Sequence, residues 1–134
     1  MNAHPIKAAP DTKKLSTAGL KAFFNIAKDW QLKNDQEIIL LGSPSRAAYF
    51  KWKKEPETAL LSRDTLERIS YLLGIYKSLQ ILLPSNTAAD AWISKPNNAP
   101  PFGGQSALDR MLSGNVSDLY IVRQYLDAAR GGWS

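Results

Sequence analysis

From Leu15 onward, apolar residues recur at Leu20, Phe23, Phe24 and Ala27. This three-and-four spacing marks one face of a helix and predicts a first helix over about 15–29. Ser16 or Thr17 is expected to cap its start, with Trp30 and Leu32 packing the turn beyond it. Residues 1–14, with Pro5 and Pro10 among small and polar side chains, lack the pattern and read as a tail. A short segment from Asp35 to Leu41 becomes strongly apolar toward its end, and Gly42-Ser43-Pro44-Ser45 interrupts it before a helical pattern resumes over Arg46 to Lys54. The expectation is helix, tight turn, helix, with a positive backbone dihedral at Gly42 and Pro44 tolerated in the first turn of the second helix. Ala48 and Trp52 form one four-residue row of that helix and Tyr49 and Lys53 another, so one row can pack inward while the other faces out.

Beyond Glu55-Pro56-Glu57, Ser62 is a simple cap for a long amphipathic helix over Arg63 to Leu83. Its apolar positions are Leu66, Ile69, Leu72, Leu73, Tyr76, Leu79, Leu82 and Leu83. The stripe is broad enough for two readings: burial against helices from both ends of the chain, or a homodimer seam. Gly74 is expected to weaken the middle of this helix slightly. Pro84-Ser85-Asn86 ends it, and Thr87 to Ile93 reads as a short helix. Lys95 to Gly104 is a Pro- and Gly-rich loop, and two more helices are expected over Ser106 to Leu112 and Val116 to Ala129, around the turn Ser113-Gly114-Asn115. Only Ile38 to Leu41 resembles a strand. The reading is an all-α fold: a tail over 1–14, a helix-turn-helix lobe over 15–61, a connecting and possible dimerisation helix over 62–86, and a helical C-terminal lobe over 87–134.

Composition narrows the chemistry. With 134 residues and 44% hydrophobic content, the chain can bury the core of one compact domain or two small lobes. There is no cysteine, and His4 is the only histidine, so thiolate chemistry, disulfides, cysteine zinc sites and paired histidine ligands are excluded. No catalytic residue, metal or cofactor is expected. The longest aliphatic runs are far too short to span a bilayer, and a cytoplasmic protein without membrane contact is the expectation. The net charge of +5 is uneven: through Leu61 ten Lys or Arg oppose six Asp or Glu, and beyond it seven oppose six. The excess therefore follows the helix-turn-helix segment. Ser43, Ser45, Arg46, Tyr49, Lys51, Lys53 and Lys54 become candidate DNA contacts, lysines for phosphates and the arginine for a guanine edge if its helix enters the major groove. An ordinary solvated basic helix has the same composition, and Tyr49 and Trp52, beside Phe50, can equally belong to a small core. Phe102-Gly103-Gly104 lacks the lysine and serine arrangement of a phosphate loop. Close packing against the next helix is preferred there, with Phe102 as anchor and Asp109 near the helix start. At the chain end, Gly131-Gly132 gives Trp133 reach, either to fold back onto its own domain or to enter a partner.

Two separated segments carry a family resemblance: Ile39-Leu40-Leu41-Gly42-Ser43-Pro44-Ser45-Arg46 continuing into Lys51-Trp52-Lys53, and Phe102-Gly103-Gly104-Gln105-Ser106-Ala107-Leu108-Asp109 continuing into Arg130-Gly131-Gly132-Trp133. Together they resemble the Xre/MbcA/ParS-type antitoxins from about residue 15 to the end. The first resembles that family's helix-turn-helix portion and the second its toxin-binding portion. The resemblance implies a non-enzymatic type II antitoxin whose partner is a RES-domain toxin that consumes NAD or transfers ADP-ribose, neutralised by covering its NAD cleft. It further implies homodimers and binding of operator DNA for repression of the antitoxin's own operon. The toxin contacts carried over are Arg130, Gly131, Gly132, Trp133 and Ser134, with Phe102, Gly103 and Gly104 organising the lobe that presents them. In the DNA-facing helix, Arg46 is the sole arginine, and Ala48 is smaller than the aliphatic residue such helices often use. The competing reading is a DNA-binding repressor without a toxin partner, and a third class is a structural adaptor.

Overall fold

The computed structural model describes residues 10–131. Its helices are α1 (Pro10–Asp29), α2 (Asn34–Leu40), α3 (Arg46–Lys54), α4 (Arg63–Leu82), α5 (Asn86–Trp92), α6 (Ala107–Met111) and α7 (Val116–Arg130), with one 3₁₀ turn, Pro56–Thr58, between α3 and α4. Among the described residues there is no sheet, only an isolated bridge between Pro96 and Ser106. The fold is all-α, with an N-terminal helix-turn-helix lobe and a helical C-terminal lobe on either side of α4.

The first helix begins five residues earlier than its apolar spacing suggests. Pro10 suits a first helical position because its fixed φ is already helical and its missing N–H needs no partner. Asp11 adds a favourable charge at the positive end of the helix dipole. Ser16 and Thr17 therefore lie inside the helix and cap nothing. Their hydroxyls donate back to the Thr12 and Lys13 carbonyls, at 2.9 and 3.1 Å. Ser16 has a second role, since its buried oxygen accepts the Leu61 N–H at 3.1 Å and ties the end of the N-terminal lobe to α1.

α4 packs against α1, α5 and α7. Ile69, Leu72, Ile75 and Leu79 are fully buried along it, each contributing roughly 2 kcal/mol by removal from water. They belong to one cluster that runs from Leu20, Phe23 and Tyr49 to Leu119, Val122 and Leu126, so the two lobes share a continuous core. The other predicted stripe positions, Leu66, Leu73, Tyr76, Leu82 and Leu83, are half-buried, and Ile75, which the predicted stripe omits, is fully buried. The side chains of α4 left exposed include Glu67, Ser70, Lys77 and Ile81. Ser62 caps α4 by accepting the Thr65 N–H at 3.2 Å, and Ser85 and Ser106 cap α5 and α6 in the same way.

Gly74 does more than weaken the helix. A Cβ on it would lie 2.5 Å from Arg123 Nε, so its hydrogen is what lets the arginine of α7 cross α4. Arg123 then donates to the Ser70 carbonyl at 3.2 Å.

Candidate DNA and toxin interfaces

The N-terminal site is built around the turn between α2 and α3. Gly42 (φ 94°) and Ser43 (φ 62°) are both left-handed, and their N–H groups return to the Ile39 and Ile38 carbonyls at the end of α2. Gly42 is doubly constrained, because a Cβ there would lie 3.0 Å from both Arg68 Nε and Asp64 Oδ2 of α4. Pro44 precedes the cap and lies outside the first helical turn. Ser45 is the cap of α3, its hydroxyl accepting the Ala48 N–H at 3.1 Å.

Tyr49 faces inward and is 0% exposed. Its hydroxyl donates to Glu37 Oε1 at 2.7 Å, with Asn34 Oδ1 3.0 Å away, joining α3 to α2. Burial, then the hydrogen bond to the carboxylate, holds its titration well above the usual phenol range. It is a strut between helices and has no surface to offer DNA. Lys53 flanks the same cluster, donating to Asn34 at 3.0 Å and reaching the buried Glu37 at 3.4 Å. Arg46 is exposed, paired with Asp35 at 2.8 Å and lying 5.4 Å over the Phe50 ring.

The outward surface of α3 is Arg46, Ala47, Phe50, Lys51 and Lys54, with Ser43 and Ser45 exposed at its front edge. Ala47 and Phe50, the latter 42% exposed, escaped the residue-type reading, which gathered charges and hydroxyls. The interval 46, 47, 50, 51, 54 is nevertheless one helical face and was available in the sequence.

The C-terminal site begins at the Pro/Gly loop. Phe102 is 5% exposed, with its ring edge-on to Trp92 at 5.8 Å and to Tyr125 at 5.1 Å. It anchors the loop as expected. Gly103 (φ 57°) and Gly104 (φ 93°) are exposed, and nothing lies within 4 Å of a Cβ built on Gly103. Their requirement is positive φ, not the close packing that the sequence suggested. The loop closes on itself through Asn97 N to Gln105 O at 3.0 Å and Gly104 N to Asn97 O at 2.8 Å. Ser106 and Asp109 complete a reciprocal cap on α6.

Arg110 fixes this loop to α7, donating to the Pro101 carbonyl and to Asp118 Oδ1, the latter at 2.9 Å. A hydrogen bond from the Ser113 hydroxyl, joined by Arg110, holds the Asp118 carboxyl below its ordinary range. At the far end of α7, Arg123, Asp127 and Arg130 face Ser70, Gly74 and Ser78 of α4. Ser78 is fully buried, its hydroxyl donating to Asp127 at 3.4 Å and accepting from Arg130 at 3.5 Å. A polar residue in a core stripe gives no apolar signal, so sequence periodicity passed over it. Arg130 and Gly131 are exposed where the helix ends. Gly132, Trp133 and Ser134 lie outside the described residues.

Among the described residues no group of three His, Cys, Asp or Glu side chains converges as metal ligands, and no helix is long and apolar enough to cross a membrane. Residues 9–74 match the family model described as the antitoxin Xre-like helix-turn-helix domain, and residues 78–132 match the antitoxin Xre/MbcA/ParS C-terminal toxin-binding domain. The two matches meet inside α4, between Gly74 and Ser78. A protein of Sinorhizobium fredii (strain NBRC 101917 / NGR234), described as "Uncharacterized protein y4oB", is 55% identical over 115 residues, covering 86% of each chain. The chain belongs to the Xre/MbcA/ParS antitoxin family, a non-enzymatic helix-turn-helix protein with a C-terminal toxin-binding domain.

Proposed function

We propose that this antitoxin neutralises a RES-domain toxin that consumes NAD or transfers ADP-ribose, by carrying its C-terminal residues into the toxin's NAD cleft. The observation that supports this most directly is the end of α7. Arg130, the last residue of α7, is exposed, and its guanidinium lies 3.5 Å from the Ser78 hydroxyl of α4, immediately before Gly131-Gly132-Trp133-Ser134 in the sequence. Two glycines give the tryptophan reach, and an indole can fill apolar space in a cleft while donating one hydrogen bond. Phe102, Gly103 and Gly104 shape the lobe behind it. Operator binding through α3 would make the same protein a repressor of its own operon, and a homodimer would present two such helices to a two-fold site.

The test is co-expression with the product of the neighbouring gene, followed by measurement of NAD consumption. The expected result is a complex in which consumption is blocked, and release of that block when residues 130–134 are deleted. A tight complex that still consumes NAD would refute neutralisation, and unchanged inhibition after the deletion would refute the terminal mechanism. The alternative, a DNA-binding repressor without a toxin partner, draws its support from the exposed Lys51 and Lys54. It predicts operator binding with no such complex. Light scattering tests the homodimer, for which a monomeric mass at working concentration is the opposing result.

A further inference from the structure

The lysines of α1 form a basic ridge apart from the recognition helix. Lys14, Lys21 and Lys28 recur every seven residues, which keeps them on one helical face along about 21 Å. That face lies opposite the buried stripe of Leu20, Phe23, Ala27 and Trp30. None of the three, nor the neighbouring Lys13, forms an ion pair among the described residues, whose pairs are made by Arg46, Lys53, Arg68, Arg110 and Arg123.

The ridge adjoins α3. A groove of about 530 Å³ has Lys13, Lys14, Thr17 and Lys21 on one side and Glu57, of the turn after α3, on the other. A second hollow of about 460 Å³ is lined by both Lys28 and Lys53, and Lys53 Nζ lies 5.8 Å from the Phe24 ring of α1. Lys28 and Lys53 thus meet at the hollow between α1 and α3, which Glu37, the partner of Lys53, also lines.

We propose that the Lys14–Lys21–Lys28 ridge is a second phosphate-contacting surface, holding the DNA that flanks the stretch met by α3. The inference rests on the reading of α3 as DNA-facing. Lysine is a strongly hydrated point charge on a flexible stem, suited to phosphates and poorly suited to a protein interface core, where lysine is depleted. No large aromatic is exposed on this face to anchor a protein partner. A ridge about 21 Å long matches roughly six base pairs of duplex, and its contacts carry no sequence information.

The test uses a duplex of about 30 base pairs, from the DNA upstream of the chain's own coding sequence, and the same duplex trimmed to about 14, each titrated across a salt series. The expected result for Lys14→Ala/Lys21→Ala/Lys28→Ala is a salt slope smaller by about 2 to 3 on the long duplex, with little change on the short one. The triple arginine replacement should keep the slope. Alanine favours exposed helical positions, and circular dichroism verifies that the fold persists. If the triple variant keeps the full slope while Lys51→Ala/Lys54→Ala lowers it, the ridge is overturned and the reading of α3 survives. If the wild-type protein retards no upstream duplex at low salt, both fail.

Discussion

The arginines from α4 onward and the lysines of α1 to α3 use positive charge in different ways. From α1 through α3, Arg46 and Lys53 have carboxylate partners, and Lys14, Lys21, Lys28, Lys33, Lys51 and Lys54 have none among the described residues. From α4 onward, Arg68, Arg110 and Arg123 each combine a carboxylate with a backbone carbonyl on another element. Arg68 joins Asp64 to Gly114, Arg110 joins Asp118 to Pro101, and Arg123 joins Asp127 to Ser70. The residue type explains the division. A guanidinium offers five donors in a rigid fork and can serve two acceptors at once, whereas an ammonium on a long stem remains well hydrated at the surface. From α4 onward three arginines hold elements together, whereas most lysines of the N-terminal lobe form no ion pair among the described residues.

The strongest way to break this contrast is at Arg110. Arg110→Ala removes the links to Asp118 and Pro101 together, and a loss of about 2 to 3 kcal/mol is expected in urea unfolding. A loss below about 0.5 kcal/mol would place this arginine with the surface lysines. The same cluster sets a pH dependence. Because the Asp118 carboxyl titrates lower in the folded chain than in the unfolded one, its contribution is complete above the ordinary carboxylate range and disappears as pH falls through the folded value. Wild-type stability should therefore converge on that of Asp118→Asn in acid. Curves that stay parallel to low pH would show that the Asp118 carboxylate contributes no pH-dependent stability.

Gly74→Ala sharpens the comparison with a smaller expected effect. Alanine gains about 1 kcal/mol of helix propensity, while displacement of Arg123 forfeits bonds of similar worth at a partly exposed site. Net stability should move by less than about 1 kcal/mol, with faster amide exchange in the last turn of α7. A cost above about 3 kcal/mol would mean that Arg123 cannot swing aside. Smallest of all, Lys51→Ala and Lys54→Ala should each change stability by less than about 0.5 kcal/mol, since neither side chain forms an ion pair among the described residues.

Much of the fold was legible because apolar spacing and cap residues are local signals. Ser62 and Gly42 behave as their types dictate, and the α4 stripe is fully buried at Ile69, Leu72 and Leu79 but only half-buried at its other predicted positions, with Ile75 buried beside them. The start of α1 carries no apolar face to mark it, although Pro10 and Asp11 already suit a helix start. At the sites, Tyr49 takes the core alternative and not the DNA-facing one, because its place on α3 points it at Glu37. Ser78 and the crossing of Arg123 over Gly74 could not be read at all. They depend on how two helices lie against each other, with some fifty residues of chain between them.

That crossing bears on how such a protein could be recombined. The two matched domains abut between Gly74 and Ser78, which invites exchange of modules at that boundary. A cut there would separate Arg123 and Asp127 from the α4 surface that receives them, delivering a toxin-binding module onto a helix with foreign side chains where Ser70 and Gly74 belong. A transplant that keeps α7 seated has to bring α4 with it from at least Arg68, whose guanidinium also holds the Gly114 turn. The inheritable unit on the C-terminal side is thus longer than the domain boundary implies, and it begins well inside the helix-turn-helix match.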